Sequence, residues 1–473
     1  MSARILSIAA AVVTLTIAVS GLAVGPVRAE ALETEDAPAV PLESVAPVAL
    51  PPADAALATA IVPGSVGRSS LFVDATYDAS LRISWGTRKI SVDSTATIRN
   101  TSGAPIDRIE LNTIAARLGS IQLHSVTVDG VAVAATRSDQ TIVVPLGGIL
   151  PVGATTQIRV RFHATLRSSL SGSNWLFTKT NGIVDLYRWL PWVSRRIAFD
   201  RPNHGDPFET PTSSSVRVRI TTSRKLVLAT SGDRTAVSAD GLTQTFAATN
   251  VRDFTVTAAT DYRSRSRVVR DSIVRVYYRP GAPGAAMLDA AADAFDALER
   301  RLGSYPHRTF RVVQSAGAYG MESPGLIWIP TGVAAANLRY LATHETAHQW
   351  FYGIVGNDQS TQPFADEAAA DFVARYILGS KRASRCATAT LDRTIYQYSA
   401  ACYYEKIYIQ GGNLLDTARQ KMGSTAFWAA LRGYIAANRD EISTTQGLLQ
   451  ALDDATPIDL GTTLFAPRFP RIY

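Results

Sequence analysis

His344-Glu345-Thr346-Ala347-His348, with eighteen residues separating His348 from Glu367, is the stretch that decides the fold. Two histidines four apart on a helix lie about 40° apart around its axis, so both imidazoles leave one face. Such a pair can fill two corners of a zinc tetrahedron. A catalytic zinc needs a third protein ligand and an open position, and two histidines with a glutamate is one of its standard sets. Glu367 fits the third place, because the intervening length suits the rest of one helix, a turn and the start of a second helix packed beside it. Glu345, next to the first histidine, is placed to act on a water at the metal without being a ligand. The competing reading makes the pair ordinary core or surface histidines, yet two of only six histidines in the chain fall here. Asp371 follows Glu367 by four and shares its helix face. Metal-bound histidines usually donate their second N–H to a carboxylate, a role open to Asp371 toward His344 or His348. Otherwise it is a solvated helix carboxylate.

Longer blocks around this core carry a family resemblance. His344 to Gly353 reads His-Glu-Thr-Ala-His-Gln-Trp-Phe-Tyr-Gly, and Asp366-Glu367-Ala368 follows. Upstream stands Tyr319-Gly320-Met321-Glu322-Ser323, and downstream Tyr404-Glu405-Lys406. In content and order these resemble the gluzincin aminopeptidases, the family of membrane alanyl aminopeptidase and aminopeptidase N. The chain departs from the family at Ser323, where Asn is usual, and at Asp366 and Ala368, where Asn and Gly are usual. The resemblance implies one zinc as cofactor and peptides with a free N-terminal amine as substrates. It implies that Gly320, Met321 and Glu322 lie on an edge strand lining the cleft, with Glu322 gripping the substrate's α-amine. It further implies that Tyr404 donates its hydroxyl to the developing oxyanion, with Tyr403 as the rival for that role. The fold implied is multidomain: an N-terminal all-β sandwich followed by an α+β thermolysin-like zincin catalytic domain.

Arg4, an apolar stretch from Ile5 to about Val24, and Val27-Arg28-Ala29 read as an export signal over residues 1–29. The same stretch is long enough to serve instead as an uncleaved membrane tether. Residues 30–67 are rich in Ala, Pro and Val and read as a linker. From 68 to 262, short alternating runs recur between turn signals, as in Val216-Arg217-Val218-Arg219-Ile220, which is half-buried strand chemistry. From 263 to 473 the pattern becomes a few strands, then helices expected over 338–352, 362–378, 406–421, 426–438 and 445–453. Cys386 and Cys402 are an even pair in a chain expected to be exported, which suggests one disulfide, two buried free thiols being the alternative.

Formal charge is +7, falling to +5 without residues 1–29, and the basic residues are scattered. No nucleic-acid motif or stacking platform is present, so nucleic acid is not an expected partner. The expected function is that of a secreted or envelope-associated zinc aminopeptidase. A thermolysin-type zinc endopeptidase and a non-catalytic peptide-binding protein on the same scaffold are the alternatives.

Overall fold

A computed structural model describes residues 60–201 and 205–473. The expected export signal, and the linker up to residue 59, lie outside the described residues. The end of the linker stretch is tied to the body. Val62 bridges to Ile149, and Asp107 accepts backbone N–H bonds from Val66, Gly67 and Arg68 at 2.8, 2.7 and 3.0 Å.

The N-terminal part is rich in β-structure. An eight-stranded sheet is centred on Asp74–Ser84 and Lys89–Arg99, paired antiparallel, and two four-stranded sheets accompany it. Side chains alternate between exposed and buried along Asp74–Ser84 and Thr155–Thr165, so the two-residue period seen in the sequence puts one face of the large sheet into a core. That core also takes in Trp189 and Trp192, and it extends to Met321, Leu326 and Trp328 from the second half of the chain.

The C-terminal part begins with a five-stranded mixed sheet, in spatial order Arg263–Val269, Ser272–Tyr278, Thr309–Ser315, Leu326–Pro330 and Met321–Ser323. The three-residue strand Met321–Ser323 is an edge and runs antiparallel to its neighbour. Helices Gly284–Leu302, Ala335–Ala347, Ala369–Ile377, Gly411–Met422, Ser424–Ala437 and Thr445–Asp453 build the remainder around a second core. Among the described residues, no helix is long and apolar enough to cross a membrane. Cys386 and Cys402 are joined in a disulfide. Closing a loop of this size contributes about 3 kcal/mol in the chain-entropy account.

Three expected helices are shorter or less regular than the sequence suggested. The first α-helix stops at Ala347 rather than 352. The other two open with π-turns, Phe364–Ala368 and Glu405–Gln410, before continuing as Ala369–Ile377 and Gly411–Met422. Hydrophobic period does not report these turns, because an i→i+5 bond changes which side chains align without changing which ones are apolar.

A buried polar network ties the two parts together. The Arg188 guanidinium donates to Asp206 Oδ2 at 3.0 Å, Thr210 Oγ1 at 3.1 Å and Tyr352 Oη at 2.7 Å. The Tyr352 hydroxyl in turn donates to Asp253 Oδ2 at 2.9 Å. Ser323 Oγ, on the edge strand, lies 3.3 Å from Asp253 Oδ2 and 2.7 Å from Thr255 Oγ1. Arg188 and both aspartates are almost fully buried, and breaking such a set from one side costs about 3–5 kcal/mol. The network sits directly behind the strand that carries Glu322.

Candidate active site

Leu326–Pro330 is buried throughout and leads into the helix Ala335–Ala347, whose last turn carries His344 and Glu345. His348 caps it. Beyond it the chain leaves helical geometry through Tyr352, which has φ +117°, a left-handed conformation unusual for a residue with a side chain. The two hydrogen bonds of the Tyr352 hydroxyl hold that conformation, and Gly353 admits it, since a Cβ there would lie 2.6 Å from the Gln349 carbonyl oxygen. Gln349 then fixes the helix against the edge strand. Its Nε2 donates to the Ser323 carbonyl at 2.9 Å, and its Oε1 accepts from the Gly325 N–H at 2.8 Å.

Three donor atoms converge. His344 Nε2 and His348 Nε2 lie 3.3 Å apart, and each is 3.4 Å from Glu367 Oε2. A tetrahedron with metal–ligand bonds of about 2.0–2.1 Å has edges of about 3.3–3.4 Å, so this triangle is one face of a zinc-sized tetrahedron. Glu367 Oε2 is buried with no hydrogen-bond partner among the described residues, as a donor atom reserved for a cation would be. Burial favours a neutral Glu367, but the two histidines outweigh it and hold the carboxyl well below its usual range. Glu322, Glu345 and His348 form a second group of possible ligands, with donor atoms within 4.8 Å of one another. The tighter triangle suits zinc better and leaves both Glu345 and Glu322 uncoordinated.

Glu345 is 5 % exposed, and Gly320 packs against it so closely that a Cβ there would overlap its Oε1. Burial raises the Glu345 carboxyl well above its usual range, and the nearby Glu322 carboxylate adds to that rise. Glu322 is 6 % exposed on the edge strand, and Gln359 Nε2 donates to its Oε1 at 3.2 Å. Glu322, Gly320, Met321 and Trp175 line a cavity of about 340 Å³ together with the two histidines, Glu345 and Glu367. The sequence had no means of predicting Gln359. Its amide donates to Asp366 Oδ2 as well as to Glu322, and so joins two carboxylates that would otherwise repel.

One expectation is corrected. Asp371 does not hold a histidine: it accepts from Tyr340 Oη at 2.5 Å and from Arg375 Nε at 2.7 Å. The carboxylate on His348 is Asp366, whose Oδ1 lies 2.5 Å from His348 Nδ1. Asp371, in the first turn of Ala369–Ile377, has one oxygen taken by Tyr340 and the other by Arg375, whereas Asp366, beside Glu367, reaches His348. His344 Nδ1 has no hydrogen-bond partner among the described residues.

The segment 403–408 brings three tyrosines to the cavity. Tyr404 lines the cavity, but its hydroxyl lies 3.0 Å from Arg375 Nη2 and 3.3 Å from Arg382 Nη1. Tyr408, one turn on, lines the same cavity and stacks against His344 at 5.6 Å between centroids. Tyr403 also lines the cavity, with a buried hydroxyl that has no partner among the described residues. The signal for Tyr408 was Gly411-Gly412. A Cβ at Gly411 would lie 2.6 Å from Ala368 Cβ, so this helix must press against the Glu367 turn, which brings the residue three before Gly411 beside Glu367.

No protein-family model matches the chain, and no curated protein matches it either. Solved structures do. A glutamate-to-alanine mutant of the M1 zinc metallopeptidase from Deinococcus radiodurans aligns with TM-score 0.68 and 21% identity, over 87% of this chain and 97% of that one. The same enzyme mutant bound to a Tyr-Ser-Ala substrate aligns at TM-score 0.67, with the same identity and coverage. A two-domain M1 zinc metallopeptidase mutant bound to L-arginine aligns at TM-score 0.63 and 22% identity, over 85% of this chain and 94% of that one. The likeness is one of fold, across nearly the whole length of those enzymes.

Proposed function

We propose that this chain, which has the fold of the M1 zinc metallopeptidases, is an exported zinc aminopeptidase with a thermolysin-like catalytic domain. The observation that carries the reading is the zinc-sized triangle of His344, His348 and Glu367, with Glu345 uncoordinated beside it and Glu322 on the adjacent edge strand. The likeness to M1 zinc metallopeptidases supports it, and so do the signal-like N-terminus and the disulfide for export.

The three ligands would hold one zinc, which supplies Lewis-acid pull on a peptide carbonyl and makes a water acidic enough to attack near neutral pH. Asp366 orients the His348 ring and raises its basicity through Nδ1. Glu345 accepts a proton from the attacking water and passes it to the departing amine. Tyr408, stacked on His344 in the same cavity, donates its hydroxyl to the carbonyl oxygen as charge builds there. Glu322 binds the substrate's α-ammonium and so sets the register at one residue from the N-terminus.

Tyr408→Phe is expected to keep zinc and fold while lowering kcat by roughly 10²–10³-fold, since its contact is strongest in the transition state. Tyr404→Phe should act on KM instead. A large kcat loss with Tyr404→Phe and none with Tyr408→Phe would return the oxyanion role to Tyr404.

The test of the aminopeptidase reading is N-acetylation. Capping the amine removes its charge and leaves Glu322 buried without a counter-ion, a loss of about 2–5 kcal/mol, or about 30- to several-thousand-fold in kcat/KM. Glu322→Ala should slow free-amine peptides sharply and erase most of the difference between free and acetylated ones. Efficient internal cleavage of acetylated peptides by the unmodified enzyme would show a thermolysin-type endopeptidase instead.

A further inference from the structure

The Tyr404 hydroxyl has only a long acceptor for its hydrogen among the described residues. Arg375 Nη2 and Arg382 Nη1 both donate to its oxygen, at 3.0 and 3.3 Å. The third neighbour is Tyr340 Oη, whose own hydrogen goes to Asp371 Oδ1 at 2.5 Å, so its oxygen accepts from Tyr404 over 3.4 Å. With two guanidiniums on the oxygen side, the Tyr404 O–H is polarised, and the ring lines the same cavity as the metal ligands. An anion in the cavity would complete it.

Charge points the same way. Arg375, Arg382 and Arg385 stand around Tyr404 and Glu405, and among the described residues their acidic partners are Asp371 and Glu405. Three cations against two anions leave one positive charge in excess. Arg385 is 67% exposed and well screened by water, whereas Arg375 and Arg382, the two that reach Tyr404, are only 11% and 29% exposed.

Position makes the anion specific. Glu322 lies toward His348, their donor atoms being within 4.8 Å of each other, and both are linked through Gln359 and Asp366. The tyrosines lie toward His344, which stacks against Tyr340 at 5.8 Å and Tyr408 at 5.6 Å, and Tyr404 packs on Tyr408 at 4.7 Å. A peptide with its amine at Glu322 and its first carbonyl at the ligand triangle therefore runs on past His344 toward Tyr404. We infer that Tyr404, Arg375 and Arg382 bind the C-terminal carboxylate of short peptides, so that the cleft reads both ends of its substrate and favours short peptides with a free C-terminus. This rests on the aminopeptidase reading for the direction of the chain.

The test measures binding by calorimetry to the zinc-loaded Glu345→Gln protein, which separates recognition from turnover. The ligands are unmodified and C-terminally amidated alanine peptides of two to six residues. At the best-fitting length the free acid should bind about 10- to 100-fold more tightly than the amide, as expected for one charge-assisted contact, and the ratio should fall toward one as the peptide lengthens. Adding Arg382→Gln should bring the acid down toward the amide. Adding Tyr404→Phe, which deletes only a hydroxyl, should do so part of the way and serves as the check if the loss of the Arg382–Glu405 pair disturbs the fold. Equal binding of acid and amide at every length overturns the proposal, and so does a ratio that neither substitution changes. N-acetylated peptides that bind as tightly as free ones would instead overturn the amine-binding role of Glu322, with the acid-to-amide ratio still deciding the carboxylate site.

Discussion

Glu345→Gln should leave one zinc bound and lower turnover by roughly 10²–10⁴-fold, the usual contribution of a general base. The amide has nearly the shape of the carboxylate, which matters because Gly320 leaves no room around Oε1 for anything larger. The substitution therefore removes proton acceptance and little else. Glu345 also has no ligand role to lose, since the tight donor triangle is made by His344, His348 and Glu367. Zinc content by mass spectrometry and thermal unfolding should both match the unmodified protein, while steady-state hydrolysis of a free-amine peptide collapses. Near-normal turnover with full zinc would remove Glu345 from the mechanism and leave the cavity without a base.

Glu367→Ala, His344→Ala and His348→Ala should each strip the metal. Losing one of three protein ligands leaves too few donors to hold zinc in a site open to water, so dialysed protein should fall from one zinc per chain toward none, with activity lost alongside it. The residues behind the ligands give a finer expectation. Asp366→Ala should weaken zinc binding by about 10–100-fold, because His348 loses the carboxylate that fixes its tautomer. Asp371→Ala should not weaken zinc in this way, since Asp371 bonds Tyr340 and Arg375 instead. Full zinc content in all three ligand variants would rule this site out, and a larger effect at Asp371 than at Asp366 would reverse their assignment.

Much of this was legible before any coordinates. The histidine pair and Glu345 could be placed because four-residue spacing within one helix is a local property, fixed by the 3.6-residue turn. The β-rich first part was legible for the same reason, since alternation along Asp74–Ser84 or Val216–Thr222 is a property of each strand alone. Glu322 on an edge strand came from its motif, and the short strand Met321–Ser323 stands at the edge of its sheet.

What escaped the sequence depends on contacts that no local rule carries. Whether Asp366 or Asp371 meets His348, and whether Tyr408 or Tyr404 meets His344, depends on how the segments Phe364–Ala368 and Glu405–Gln410 pack against the histidine helix. The Glu367 segment and the helix that starts at Gly411 approach closely, since a Cβ at Gly411 would lie 2.6 Å from Ala368 Cβ. Gln359 and Arg188 bind partners 37 and 164 residues away in the chain, Glu322 and Tyr352. The sequence by itself determined the histidine pair and the glutamate beside it, because helical period aligns them within a few residues. Only the tertiary structure decided which carboxylate and which tyrosine attend them, because those choices depend on how separate elements pack and not on the period of any one.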